Sequence, residues 1–142
     1  MSGNPGSTHQ LESTFGPLEI RVLESLWARE TPACVRDLQP QFPGVAYTTL
    51  MTTLDRLFRK GTLLRNKNGR AFFYHPKTSK QALISELAGS AFARLLPGDS
   101  ASVRPILSMF VDTVGNHNRA LLDDLEQLVK ARRDELKGRH SK

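Results

Sequence analysis

The chain has one cysteine, Cys34, so it holds no internal disulfide and no thiolate metal cluster, and a lone thiol suits a reducing cytoplasm. It has no apolar run near the roughly 18 residues of a membrane span, and its first residues lack the apolar segment of a secretory signal. The constellations of catalysis are missing too: no paired carboxylates, no nucleophile beside a base, no Gly-rich phosphate loop, no His/Cys cluster at ligand spacing. His75, His117 and His140 stand apart, so an enzyme is the weakest reading and neither metal nor organic cofactor is expected. Apolar residues make up only 39% of the 142 positions, enough for one modest domain plus an extension whose core a partner chain completes. The last absence is local. Between Arg56 and Arg70 there is no acidic residue, against six basic ones: Arg56, Arg59, Lys60, Arg65, Lys67 and Arg70. The formal charge of +6 points to a polyanionic partner, and this one-sided stretch says where it would bind.

That stretch belongs to a longer run, residues 46–74, AYTTLMTTLDRLFRKGTLLRNKNGRAFFY. Steps of about 100° per residue gather Tyr47, Leu50, Met51, Leu54, Leu57 and Phe58 into one apolar stripe, which predicts an amphipathic helix. Its opposite face carries Thr48, Thr49, Thr52, Arg56 and Arg59. Threonine is a poor helix former, so something other than helix stability favours it there. Its hydroxyl suits phosphates and base edges, its methyl suits thymine, and arginine can contact guanine through two hydrogen bonds. Gly61 can end the helix in the left-handed conformation, after which 62–65 and 70–74 alternate well enough to pair as a hairpin across Asn66–Gly69. A helix followed by a cationic hairpin reads as a recognition helix and a wing. The candidate DNA contacts are Ala46, Tyr47, Thr48, Thr49, Thr52, Arg56 and Arg59 on the helix, and Arg65, Lys67, Asn68 and Arg70 on the wing. Tyr47 points inward by phase, yet a first-turn hydroxyl can reach a phosphate.

The runs AYTTLMTTLDRLFRKG and RNKNGRAFFYHP, with PLEIRVLESLW and VRDL upstream, resemble the penicillinase-repressor (BlaI/MecI/CopY) family of bacterial winged-helix regulators, over roughly residues 15–137. The closer similarity is to the BlaI/MecI-like branch, because the closely spaced C-terminal cysteines of the copper-responsive branch are missing. The resemblance implies a cytoplasmic repressor of genes such as those of a β-lactam response. It also implies release by a membrane sensor protease, or a process it triggers, that cuts an Asn-Phe bond in the dimerisation helices. The matching bond is Met109–Phe110, with Met109 where the family has asparagine.

Taken in order, residues 1–14 are small, polar and without period, and read as a flexible arm. Gly16, Pro17 and Glu19 announce a helix whose apolar face holds Leu18, Ile20, Val22, Leu23, Leu26 and Trp27. Thr31 and Pro32 open a short second helix with Cys34 at its start, Val35 and Leu38 inward and Arg36 toward solvent or phosphate; Pro40 and Pro43 close it. After the wing, Thr78 and Gln81 form a capping box for a further helix, another begins near Asp99 or Ser100 with Pro105 near its first turn, and Gly115 interrupts before Asn116 or Asn118 caps a last one. These helices carry more apolar residues than one copy can hide, so Ile84, Leu87, Phe92, Ile106, Leu107, Phe110, Leu121, Leu125 and Leu128 are assigned to a dimer contact.

The expected architecture is mainly α with a small β-hairpin wing: an arm over 1–14, a winged-helix DNA-binding domain over 15–76 and a helical dimerisation region over 77–142. The expected function is a homodimeric, sequence-specific repressor on pseudo-palindromic operators. The alternative is a winged helix that docks an acidic protein, which the threonine-rich face argues against.

Overall fold

Pro17 has no amide hydrogen to leave unpaired at a helix start, and helix α1 (Pro17–Trp27) begins with it. The Gly16 N–H donates to Glu19 Oε1 at 3.0 Å, closing the first turn as the sequence predicts. Val22, Leu23 and Leu26 are buried, and the half-buried Trp27 donates its Nε1–H to the Thr78 carbonyl at 3.0 Å. The computed structural model describes residues 11–140. Positions 1–10 of the expected arm lie outside the described residues, whereas 11–14 correct it. They are helical, Leu11 joins the core, and the Phe15 N–H donates to the Leu11 carbonyl at 2.8 Å. Leu11 and the buried Phe15 dock this turn, a local signal that the polar surroundings mask.

The second helix starts later than Thr31–Pro32 suggest. Ala33 is fully buried and exchanges two backbone hydrogen bonds of 2.9 Å with Tyr74, so the chain there is extended and helix α2 (Val35–Leu38) opens only after Cys34. The half-buried Cys34 donates its N–H to Asp37 Oδ2 at 3.0 Å, and that bond holds the Asp37 carboxyl below its ordinary value of 3.8. A 3₁₀ turn over Gln39–Gln41 follows, and the chain then enters helix α3 (Tyr47–Arg59).

Helix α3 buries Leu50, Leu54 and Leu57 together with Thr53, whose hydroxyl donates to the Thr49 carbonyl at 2.8 Å. The buried stripe is therefore narrower than phase predicts: Tyr47 and Met51 are 44% and 45% exposed. A threonine that satisfies its hydroxyl within its own helix can turn inward, and Thr53 does so on the flank of the stripe opposite Met51. Gly61, at φ +80°, ends the helix in the left-handed region. Strands β1 (Leu63–Asn68) and β2 (Ala71–Pro76) pair antiparallel from Leu63↔Pro76 to Asn68↔Ala71. The loop is thus only Gly69–Arg70, not Asn66–Gly69, because Gly69 at φ +66° allows a two-residue turn and Asn66 to Asn68 join the ladder.

Helix α4 (Lys80–Leu95) is capped by Ser79, whose Oγ accepts the Ala82 N–H at 3.1 Å, one residue after the expected Thr78. Leu83 and Ile84 are buried with Leu23, Leu50, Leu57 and Leu63, and Leu87 packs against this core. Ile84, expected at a dimer contact, is thus part of this core, and the half-buried Leu87 packs against it. The first compact unit runs to residue 91, within α4.

The second unit contains the end of α4, helix α5 (Ser100–His117) and helix α6 (Ala120–His140). Asp99 Oδ2 accepts the Ser102 N–H at 2.9 Å, and hydrogen bonding from the Ser102 side chain and then its amide lowers the Asp99 carboxyl below its ordinary value. Pro105 lies in the second turn of α5, close to its start. Gly115 does not break the helix: it stays helical where α6 crosses closely, and a Cβ there would meet Leu122 Cδ1 at 3.1 Å. The break comes at Asn118, whose Oδ1 accepts the Ala120 N–H at 3.0 Å. The Phe92 and Phe110 rings tilt together at 5.5 Å. From 92 to 139 no residue is buried; Leu107, Phe110, Leu121 and Leu128 are exposed, and Ile106 and Leu125 are half-buried.

Candidate nucleic-acid interface

The outward face of α3 is built from its first residue. Ala46 occupies the N-cap and no side chain caps the leading amides, which leaves the start of the helix open to an external acceptor. Thr48, Thr49, Thr52, Arg56 and Arg59 are all exposed. The Thr52 hydroxyl donates to the Thr48 carbonyl at 2.8 Å, so its proton is committed and its lone pairs remain as acceptors. An acceptor there suits the exocyclic amino groups of adenine and cytosine.

The six cations of the basic run divide into two kinds. Lys60 Nζ sits 3.0 Å from Glu19 and 5.0 Å over the Phe15 ring, on the side of α1. Arg59 Nε lies 2.9 Å from Asp55, and Arg65 reaches the same carboxylate at 3.2 Å. The Arg65 guanidinium also stacks between Phe58 and Phe72, at 4.0 and 4.1 Å from the ring centroids, contacts worth about 0.5–1 kcal/mol each. Arg56, Lys67 and Arg70 make no ion pair among the described residues; Lys67 only approaches Phe72 at 6.0 Å. The Arg59 pair is mostly exposed and contributes about 0–1 kcal/mol, so Arg59 is free to re-aim.

A groove of about 720 Å³ runs between α3 and the hairpin, and it gathers Tyr47 and Met51 from α3, Asn68, Arg70 and Phe72 from the hairpin, and Arg36 from α2. The groove thus joins the start of α3 to the hairpin, while Thr48, Thr49, Thr52, Arg56, Arg59 and Lys67 lie outside its lining. Three features escape sequence reasoning: the exposure of Met51, the withdrawal of Arg65 into a ring stack, and the Ala33–Tyr74 bridge that pins the hairpin base. The alternation of β1 hints at the second, since Arg65 lies two positions from the buried Leu63, on the same face of the strand.

No helix among the described residues is long and apolar enough to cross a membrane. A family model described as penicillinase repressor matches residues 15–131. The transcriptional regulator BlaI of Mycobacterium tuberculosis, from two strains, is 36% identical over 104 residues, covering 71% of this chain and 74% of its own. Among solved structures, a mutant MepR from a multidrug-resistant S. aureus clinical isolate superposes with a TM-score of 0.48 at 16% identity, over 89% of this chain and 86% of that one.

Proposed function

Because the chain belongs to the penicillinase repressor family, we propose that it is a homodimeric transcriptional repressor that reads double-stranded DNA with α3 and grips it with the β1–β2 wing. The family is one of transcriptional regulators, not of enzymes. The observations that carry the reading are the open start of α3, its exposed threonines and Arg56, and the exposed Lys67 and Arg70 on the hairpin that follows, three cations with no ion pair among the described residues. In this reading a phosphate caps the leading amides of α3, with Ala46 small enough for its approach and the Tyr47 hydroxyl beside it. Thr48, Thr49, Thr52 and Arg56 meet base edges, while Arg36, Lys67, Asn68 and Arg70 meet phosphates, and Arg59 adds one more when it leaves Asp55.

The tail supports the pairing. A unit with no buried residue among those described and with Leu107, Phe110, Leu121, Leu128 and Val129 exposed lacks a core of its own there, and a second copy supplies the missing layer. Two recognition helices then address half-sites about one or two helical turns apart on a pseudo-palindrome. The protein works in the cytoplasm, and the regulated genes are those of a β-lactam response. Release follows a cut at Met109–Phe110 begun by a membrane sensor protease. That bond lies inside the continuous α5 with Met109 65% exposed, so cutting requires α5 to unwind locally.

Selection of bound duplexes from a random library tests the reading. The full chain is expected to enrich a two-fold symmetric sequence. With about four phosphates neutralised per subunit, log affinity should fall against log salt with a slope of about −7. Equal recovery of all duplexes would refute sequence-specific binding and favour an acidic protein as the partner.

A further inference from the structure

Asp55, on α3, holds Arg59 of its own helix at 2.9 Å and Arg65 of β1 at 3.2 Å. The same Arg65 guanidinium lies between Phe58 of α3 and Phe72 of β2, at 4.0 and 4.1 Å. One side chain thus joins the recognition helix to both strands of the wing. Arg65 is paired across the ladder with Tyr74, the residue bridged to Ala33, so the stack sits where the hairpin leaves the core. Beyond it the hairpin carries the exposed Lys67, Asn68 and Arg70. A two-stranded ribbon is marginal by itself, and its direction is set by whatever anchors its base.

We propose that Arg65 is a positioning residue and not a phosphate contact, and that Asp55 with Arg65 fixes the angle of the wing against α3. The inference rests on the DNA-binding reading above. Charge supports the assignment: a carboxylate on a helix that enters a polyanion opposes binding, and the two guanidiniums it holds account for its place. Geometry supports it as well, because a planar guanidinium can stack on two rings and still bond a carboxylate in its plane, whereas an ammonium cannot.

The test uses the full-length chain, the duplex that wild type selects from a random library, and a scrambled duplex, with binding read by fluorescence anisotropy. Asp55→Asn removes a negative charge yet is expected to weaken binding to the selected duplex by roughly tenfold, and to narrow the ratio of selected over scrambled affinity. Arg65→Lys keeps the charge and is expected to do the same. Loss of folded protein would lower both duplexes together and leave the ratio unmoved. Combining Asp55→Asn with Lys67→Ala should cost less than the product of the two, because a misdirected wing has already lost Lys67. In the free protein, amides from Lys67 to Phe72 should exchange faster in Asp55→Asn and Arg65→Lys, which a phosphate contact would not produce. Tighter binding by Asp55→Asn to both duplexes, or wild-type affinity for both duplexes in Arg65→Lys, would overturn the inference while leaving DNA binding intact. A wild-type chain that selects no sequence would overturn both.

Discussion

Arg56 and Lys67 carry the same charge from different elements, and their replacement should separate reading from gripping. Arg56 stands one turn beyond Thr52 on the outer face of α3, whereas Lys67 is on the wing strand, where it meets the DNA backbone in the reading above. Arg56→Ala is expected to cost about 1–3 kcal/mol and to relax preference at one base pair, while Lys67→Ala should weaken every duplex alike and flatten the salt slope by about 1 per subunit. Binding to the selected duplex and its single-base variants, at several salt concentrations, checks both. At this scale the sequence discloses the supply of charge but not its pairing. Lys60 is indistinguishable in sequence from its neighbours, yet its carboxylate is Glu19, 41 positions away, and Arg65 is drawn out of the basic run by two rings brought together only by folding. Thr53 was equally hidden, since only the hydrogen bond to Thr49 makes a buried threonine tolerable.

The elements were more legible than their partners. Periodicity locates the helices, and Gly16, Pro17 and Gly61 mark two of their ends, because these signals act within a turn of chain. The hairpin length was not readable: a polar ribbon such as Asn66–Asn68 has no apolar alternation to declare its register. The one-residue bridge at Ala33 has no sequence period at all. Two glycines test the elements with opposite signs. Gly69, at φ +66°, shapes the hairpin turn, so Gly69→Ala is expected to lower stability by about 1 kcal/mol or more. Gly89 lies inside α4 with nothing within 4 Å of an added Cβ, so Gly89→Ala should raise stability by about 0.5–1 kcal/mol. Thermal melts at one protein concentration read both.

At the scale of the whole molecule, the second unit gives the sharpest contrast. Leu128 is 67% exposed, so Leu128→Glu would cost little in a lone chain. In the proposed pair it places a charge in the shared layer, and sedimentation should show the mass falling from twice 15.8 kDa to 15.8 kDa. Affinity for a two-half-site duplex should then drop by about 100-fold or more, because the second half-site is no longer bound intramolecularly. A chain cut between Met109 and Phe110 should lose affinity in the same way. Blots of cells challenged with a β-lactam should show that fragment, and a chain left intact would remove the cleavage step. The surplus of leucine in the tail was plain in the sequence. That Ile84 and Leu87 serve the first core was not, since one helix stripe looks alike whichever body it meets.

The proposed pairing also makes abundance part of the thermodynamics of this protein. A pair forms with the square of free chain, so a cell that halves its supply would lose more than half of its paired molecules. In that reading gene dosage alone alters how often an operator stands uncovered, before any inducer arrives.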